Sequence, residues 1–367
     1  MKENLEIPMV WRKKMKSFVR VSILVSVLLL GNGGNPLYAG SVQIEPTTLE
    51  GWNHCYRISN GDVELIAVAD MGPRILRLGF VGGENVFFID PQTVGKTGGD
   101  SWNGYGGHRL WIGPETADIT YYPDNFAVHT QVDGNTLVLT APIEVLDATA
   151  RASMSYDEIM KHATEPEFRK KLGFQKQMEI RMEENGEVTI LHRITNCGLQ
   201  AHSIAAWALT VMNQGGICVL PNPPYAPHGP GHWLPERAIV TWSYTNMIDP
   251  RLKIMNQYMT FRQDPSMKEP LKMGFSSTQG WVAYALHDQL FVKKLDYFKD
   301  RNYPDMGCSV EIFTNASIME VESLAPMVTL QSGETTTHRE RWFLKKIAPI
   351  TQDASSIETM LKSVGLQ

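Results

Sequence analysis

Residues 311–344 read EIFTNASIMEVESLAPMVTLQSGETTTHRERWFL. Glu320 and Glu322 stand two residues apart in an apolar run, so an extended backbone points both to one face of a sheet. The run stops at Ala325-Pro326, restarts as Val328-Thr329-Leu330, turns at Ser332-Gly333 and continues through Trp342 and Phe343. The stretch therefore predicts strands joined by a hairpin, with a carboxylate on a sheet face as a candidate base.

The same punctuation recurs upstream. Met178, Ile180 and Met182 alternate with polar residues, Asn185-Gly186 makes a turn, and Val188, Ile190 and Ile194 resume the alternation, the clearest hairpin in the chain. Residues 62–68 and 75–80 are short apolar runs separated by the turn Asp70-Met71-Gly72-Pro73, and further strands are expected at 136–140, 203–212, 281–286 and 290–295. Short strands at this density predict an all-β protein, a large super-sandwich of antiparallel sheets. Ser155 followed by Glu158 is a capping-box pattern, and with the polar run to Lys171 it predicts a small helical insertion near 155–171. Residues 221–235 form a long loop carrying Pro221, Pro223, Pro224, Pro227, Pro230 and Pro235, and loops of that length are often functional.

The N-terminus reads as an export signal. Arg12, Lys13, Lys14, Lys16 and Arg20 precede the apolar run 21–30, which gives way to glycines and a small-residue exit at Tyr38-Ala39-Gly40. A spanning helix needs ~20 apolar residues, so the run is too short for a membrane anchor and no stable insertion is expected after cleavage. The expected organisation is a signal peptide over 1–39, one β-sandwich domain over 45–347 and a tail over 348–367 with room for a short helix. The mature protein is then periplasmic or extracellular.

Residues 1–39 carry six Lys or Arg and two acids, so their removal moves the formal charge from -5 to -9. An acidic protein with no dense basic patch is a poor nucleic-acid binder, because phosphate neutralisation supplies most of that affinity. Cys55, Cys197, Cys218 and Cys308 have no C-x-x-C spacing, and their apolar settings favour free thiols over disulfides. No phosphate-cradling loop, nucleophile elbow or helical zinc pattern is present, and the two histidines of His228-Gly229-Pro230-Gly231-His232 have no fixed geometry across the intervening glycines. No cofactor and no resident metal are therefore expected, although Glu311, Glu320 and Glu322 could gather around calcium.

The chemistry-bearing residues are Arg74, His108, Arg109, Trp111, Glu115 and Glu322. A sugar site needs donors and acceptors in a cleft, an aromatic face for the apolar side of the ring, and an acid/base pair with tuned pKa values. Tyr105-Gly106-Gly107-His108-Arg109-Leu110-Trp111 reads as a glycine-softened loop where backbone can approach a ligand. Arg74 has an alternative role pairing with Asp70 across its turn, His108 as a core histidine, Trp111 as a core aromatic and Glu115 as a turn residue.

The order of acid, proline, apolar triplet, Gly-Glu turn and aromatic strand after Glu322 resembles the C-terminal signature of galactose mutarotase-like proteins, the aldose 1-epimerases among them. CYRISNGDVELIAVADMGPRILRLGFVGG, YGGHRLWIGPET and FVKKLDYFKDRNYPDMGCSVEIFTN resemble a bacterial family of exported domains of unassigned function, grouped with the same folds. That resemblance implies Glu322 as catalytic base and places His108 and Arg109 against the sugar. It also adds Lys293, Glu311 and Asn315 as weaker substrate-binding candidates. Mutarotases carry a second histidine after an Ile-Thr-Asn segment; here Ile194-Thr195-Asn196 leads to Ala205-Ala206-Trp207 instead, so with Glu322 as base the acid must be His108 or another group. The implied partner is carbohydrate: a monosaccharide, a uronate or a glycan. The readings are an aldose epimerase-like enzyme using Glu322 and His108, a uronate-directed lyase, a non-catalytic carbohydrate-binding protein, or a structural module.

Overall fold

Phe174–Met182 and Val188–Asn196 show how the chain builds its sheets. In both strands every second residue is buried, and they pair from Met182 opposite Val188 to Phe174 opposite Asn196, as the alternation around Asn185-Gly186 requires. A computed structural model of the protein describes residues 41–147 and 154–366. The predicted export segment lies outside the described residues.

Two antiparallel sheets carry the fold. The first runs, in spatial order, Gln43–Leu49, Trp52–Ser59, Val63–Val68, Arg74–Phe80, Gly107–Gly113, His202–Met212, Met319–Leu324, Val310–Thr314, Leu271–Phe275 and Ile239–Thr241, with Val328–Leu330 also paired to His202–Met212. The second runs Leu252–Ile254, Tyr258–Arg262, Ile217–Pro221, Trp281–Leu286, Gln289–Leu295, Thr335–Lys346, Val188–Asn196, Phe174–Met182, Thr136–Thr140 and His129–Asp133. This is the all-β super-sandwich expected from the sequence. Its main core lies between the sheets, where Ile58, Leu65 and Val321 of the first meet Met178, Ile190, Phe291 and Trp342 of the second. Each such fully buried side chain contributes about 1.5–3 kcal/mol through lost water contact.

Helices are few. Ser155 caps Tyr156–His162 with its side chain, and Glu158 reaches back to the Ser155 N–H at 2.7 Å, forming the predicted capping box. Pro166–Arg169 completes the helical insertion. Ile159 packs with Val145 and Leu172, which anchors the insertion to the body of the protein. The tail carries Ala354–Ser363, whose Ile357, Met360 and Leu361 are buried against the outer face of the second sheet. No described helix is long and apolar enough to cross a membrane.

Five neighbouring strands in the middle of the first sheet position the chemistry: Gly107–Gly113, His202–Met212, Met319–Leu324, Val310–Thr314 and Leu271–Phe275. Along Met319–Leu324 the pleat sends Met319, Val321 and Ser323 towards the second sheet and Glu320, Glu322 and Leu324 to the opposite, outer face.

Candidate functional site

Arg109, Leu209, Glu322 and Glu311 form one row across the outer face, because Leu209 pairs with both Arg109 and Glu322, and Glu322 pairs with Glu311. Lys272, from the next strand, reaches back over this row. Its ammonium lies 2.8 Å from Glu311 Oε2 and 3.4 Å from Glu322 Oε2. It also stands 4.7 Å from the ring centres of Trp207 and Trp242. Trp207 donates its indole N–H to Glu322 Oε2 at 2.8 Å. Trp207, in the segment where the resemblance led to the expectation of a second histidine, therefore touches Glu322 directly.

Arg109 closes the other end. Its guanidinium donates to Glu320 Oε1 at 2.9 Å and lies 4.4 Å over the Trp111 ring and 5.3 Å over Trp102. Trp111 in turn meets Trp102, Tyr121 and Trp207 edge to face. A cavity of about 380 Å³ opens beside Arg109, Glu320, Trp102, Asp90 and Gln214. Glu322 lies one pleat further along its strand and is fully buried, as is Glu311. Glu115, exposed, accepts the Tyr121 hydroxyl. Asn315 caps its own hairpin, accepting from the backbone of Ser317 and Ile318, with Ser317 and Ile318 lining the cavity.

Burial and then the neighbouring Glu322 charge push the Glu311 carboxyl up to about 9, against the pull of Lys272. Burial raises Glu322 as well, with Lys272 opposing. Burial works against the Lys272 ammonium, but Glu322 and Glu311 outweigh it and hold it protonated. The group is thus two carboxyls sharing one cation, in which one carboxyl keeps its proton at neutral pH. Lys272 bridges Glu311 and Glu322 and Arg109 pairs with Glu320, so side-chain cations already face the three acids considered for calcium.

Several polar atoms on this face are buried and unpaired: the indole nitrogens of Trp102 and Trp111, Arg109 Nε, Glu322 Oε1 and Glu311 Oε1. Buried polar groups ordinarily find partners, and leaving one unpaired costs about 1–3 kcal/mol. Donors at one end and acceptors at the other match a ligand with hydroxyl groups.

His108 is not part of this face. It follows Gly107 on its strand and precedes Arg109, so the pleat turns it inward, where it is fully buried and 4.6 Å from the Trp342 ring. The expected His108–Glu322 acid/base pair is therefore corrected: the two lie on opposite faces of one sheet. Lys293 is corrected on the same ground, since its ammonium is sealed between the sheets, 2.9 Å from Glu340 Oε1. Arg74 is also buried. It donates to Asp124 at 2.5 Å and to the carbonyls of Gly104 and Gly106, holding the glycine loop, while Asp70 pairs with His54. Gly106 and Gly107 have positive φ, and a Cβ on them would lie 2.1 Å from the Phe88 carbonyl oxygen and 2.2 Å from that of Ile75. These glycines allow close strand approach, and Gly106 also lines the cavity beside Arg109.

The inward groups form a closed network whose tautomers follow from its geometry. Glu340, held ionised by Lys293 despite its burial, accepts from Lys293, from Trp342 Nε1 at 2.8 Å and from Ser323 Oγ at 2.5 Å. Ser323 has one proton to give, so His338 Nε2–H donates to Ser323 Oγ at 2.6 Å. His192 Nδ1–H donates to the His338 carbonyl at 3.0 Å, leaving its Nε2 to accept from His108 Nε2–H at 2.8 Å. His108 Nδ1 then accepts from the Thr210 hydroxyl at 2.9 Å. Burial holds all three imidazoles neutral, His338 down at about 3. His108, His192 and Glu340 bring ligand atoms within 4.8 Å of one another. A metal fits poorly there, because each of those atoms already has a protein partner and the Lys293 ammonium supplies the counter-charge.

Lys272, Trp102, Trp207 and Trp242 were not singled out as site residues from the sequence. The signal that could have found Lys272 is a single lysine in the otherwise uncharged run Leu271–Phe275. In the proline-rich loop His232 pairs with Glu236 and His228 packs on Trp233, so the two histidines do not form a metal pair. All four cysteines are free.

No family model matches the chain, and no curated protein matches it. Among solved structures, a galactose mutarotase-like protein from Lactobacillus casei is similar at 10% identity, over 79% of this chain and 100% of that one, with a TM-score of 0.49. A galactose mutarotase-like protein from Clostridium acetobutylicum is similar at 10% identity, over 84% and 99%, with a TM-score of 0.45. A TPR-domain containing protein from Parabacteroides distasonis is similar at 12% identity, over 84% of this chain and 54% of that one, with a TM-score of 0.47. With identities of 10–12% and TM-scores below 0.5, these likenesses carry no argument about this chain.

Proposed function

We propose that the outer face of the first sheet is a carbohydrate site at which Glu322 and Glu311 move a proton on a sugar, in an exported protein. The observation that carries this reading is the pair of carboxyls on one lysine, flanked by indoles and by unpaired donors and acceptors. In an aldose, Glu322 as carboxylate would take the proton of the C1 hydroxyl while Glu311 as acid gives its proton to the ring oxygen. The C1–O5 bond breaks, an aldehyde forms, and reclosure on the other face inverts C1 and returns both protons. Trp207 and Lys272 favour the charged form of Glu322 through its Oε2, against its burial, and leave Oε1 to act.

The full burial of both carboxyls favours a second reading, in which the site binds a sugar through Arg109, Trp102 and Trp111 without chemistry. Polarimetry of freshly dissolved aldoses and calorimetry on the same panel separate the two. Faster mutarotation that Glu322→Gln abolishes supports the enzyme. Binding without rate enhancement supports the binding protein, and neither result refutes both. Export is tested by sequencing the N-terminus of the mature protein, with cleavage after about residue 39 expected from the small-residue exit.

A further inference from the structure

We infer that Ser323 is a positioning residue for Glu322: the interior network grips the Glu322 strand from behind, on both neighbours of the reactive side chain. This rests on the carboxyl pair assigned above. Lys293 donates to the Val321 carbonyl at 3.0 Å, one residue before Glu322. Ser323, one residue after, is fixed by two short hydrogen bonds, to Glu340 and from His338. Both anchors belong to the second sheet, since Lys293 lies on Gln289–Leu295 and His338 and Glu340 on Thr335–Lys346.

Period-two geometry makes this grip effective. Successive side chains of a strand leave opposite faces, so a residue held inward fixes the backbone from which its neighbour points outward. Glu322 needs that restraint, because its Oε2 must meet Trp207 and Lys272 at once while Oε1 stays free. The titratable groups facing Glu322 are Glu320 on its own strand, Arg109, Glu311 and Lys272 on neighbouring strands, and Tyr244. Pairing with Leu209 and Glu311 holds its backbone within the sheet, and the contacts of Val321 and Ser323 hold it against the second sheet. The hydrogen bonds from His338 through Ser323 to Glu340, and from Thr210 through His108 to His192, are consistent with one set of tautomers, which favours one arrangement of the network.

The test reads the carboxyl pair itself and needs no substrate. The full chain labelled with carboxyl-13C glutamate is titrated by NMR, with Glu311→Gln and Glu322→Gln assigning the two signals. Ser323→Ala frees the strand and admits water, so the upper titration of the pair is expected to fall by about one pH unit, a tenfold change in proton affinity. Ser323→Cys, which keeps size and weakens the bonds, is titrated in parallel and should move the same way by less; it stands in should Ser323→Ala not fold. Thr210→Val breaks the same network at His108 and is expected to lower the melting temperature while leaving the titration in place. Unchanged titration in both folded Ser323 variants, or an equal shift in Thr210→Val, overturns the inference. A shifted titration in a protein that binds no sugar leaves the positioning intact and removes only the carbohydrate reading.

Discussion

Glu311 and Glu322 stand directly opposite each other on adjacent antiparallel strands, and both carboxyls reach the one Lys272 ammonium. Like charges opposite one another weaken a sheet pair, so this arrangement persists only with a proton or a cation between them.

Lys272→Met removes the cation and leaves two buried carboxyls facing each other. Breaking a buried ionic group by deleting one partner costs about 3–5 kcal/mol, and a loss of that order is expected in urea denaturation at pH 7. Glu311→Gln, which removes the repulsion and keeps one carboxylate for Lys272, should stay within about 1 kcal/mol of the parent protein.

The pH dependence of stability follows from the raised Glu311. Its proton is held more tightly folded than unfolded, so its contribution is complete below the unfolded value of 4.5 and is lost as pH rises towards about 9. The buried neutral histidines act in the opposite sense, and their dependence ends near their ordinary value of 6.5. Denaturation midpoints should therefore decline between pH 6.5 and 9, and Glu311→Gln should flatten that decline. A decline of the same slope in the variant would place its origin elsewhere.

Arg109→Lys keeps a charge opposite Glu320 but loses the flat guanidinium over Trp102 and Trp111. Sugar affinity measured by calorimetry is expected to fall about tenfold, about 1.4 kcal/mol, with the melting temperature much less affected.

Gly107→Ala places a Cβ 2.2 Å from the Ile75 carbonyl oxygen on a residue with φ +64. The left-handed backbone alone costs a non-glycine residue about 1–2 kcal/mol, and the clash adds to it. Thermal denaturation should show at least that loss, with Gly134→Ala, where φ is +57 and nothing lies within 4 Å, marking the backbone part alone.

Two kinds of strand were legible: 281–286 coincides with Trp281–Leu286, a short apolar run buried throughout, and 136–140 coincides with Thr136–Thr140, where one-faced burial leaves a period of two. The same rule speaks against placing His108 and Arg109 in one cleft, since neighbours on a strand cannot both face it. The adjacent glycines made that segment read as a loop, and only the close approach of the Phe88 and Ile75 carbonyls shows why they are there. Arg74 was read against Asp70, its neighbour in the chain, whereas the partner is Asp124, fifty residues away.

The amino-acid order by itself determined the antiparallel β architecture, the capped helical insertion and the common face of Glu320 and Glu322, because each depends on local periodicity or a few adjacent residues. The meeting of Glu322 with Glu311, Lys272 and Trp207, and its separation from His108, were decided only when the sheets assembled. Strand order and pairing register are set by packing across the whole core, and no local pattern encodes which distant residues become neighbours.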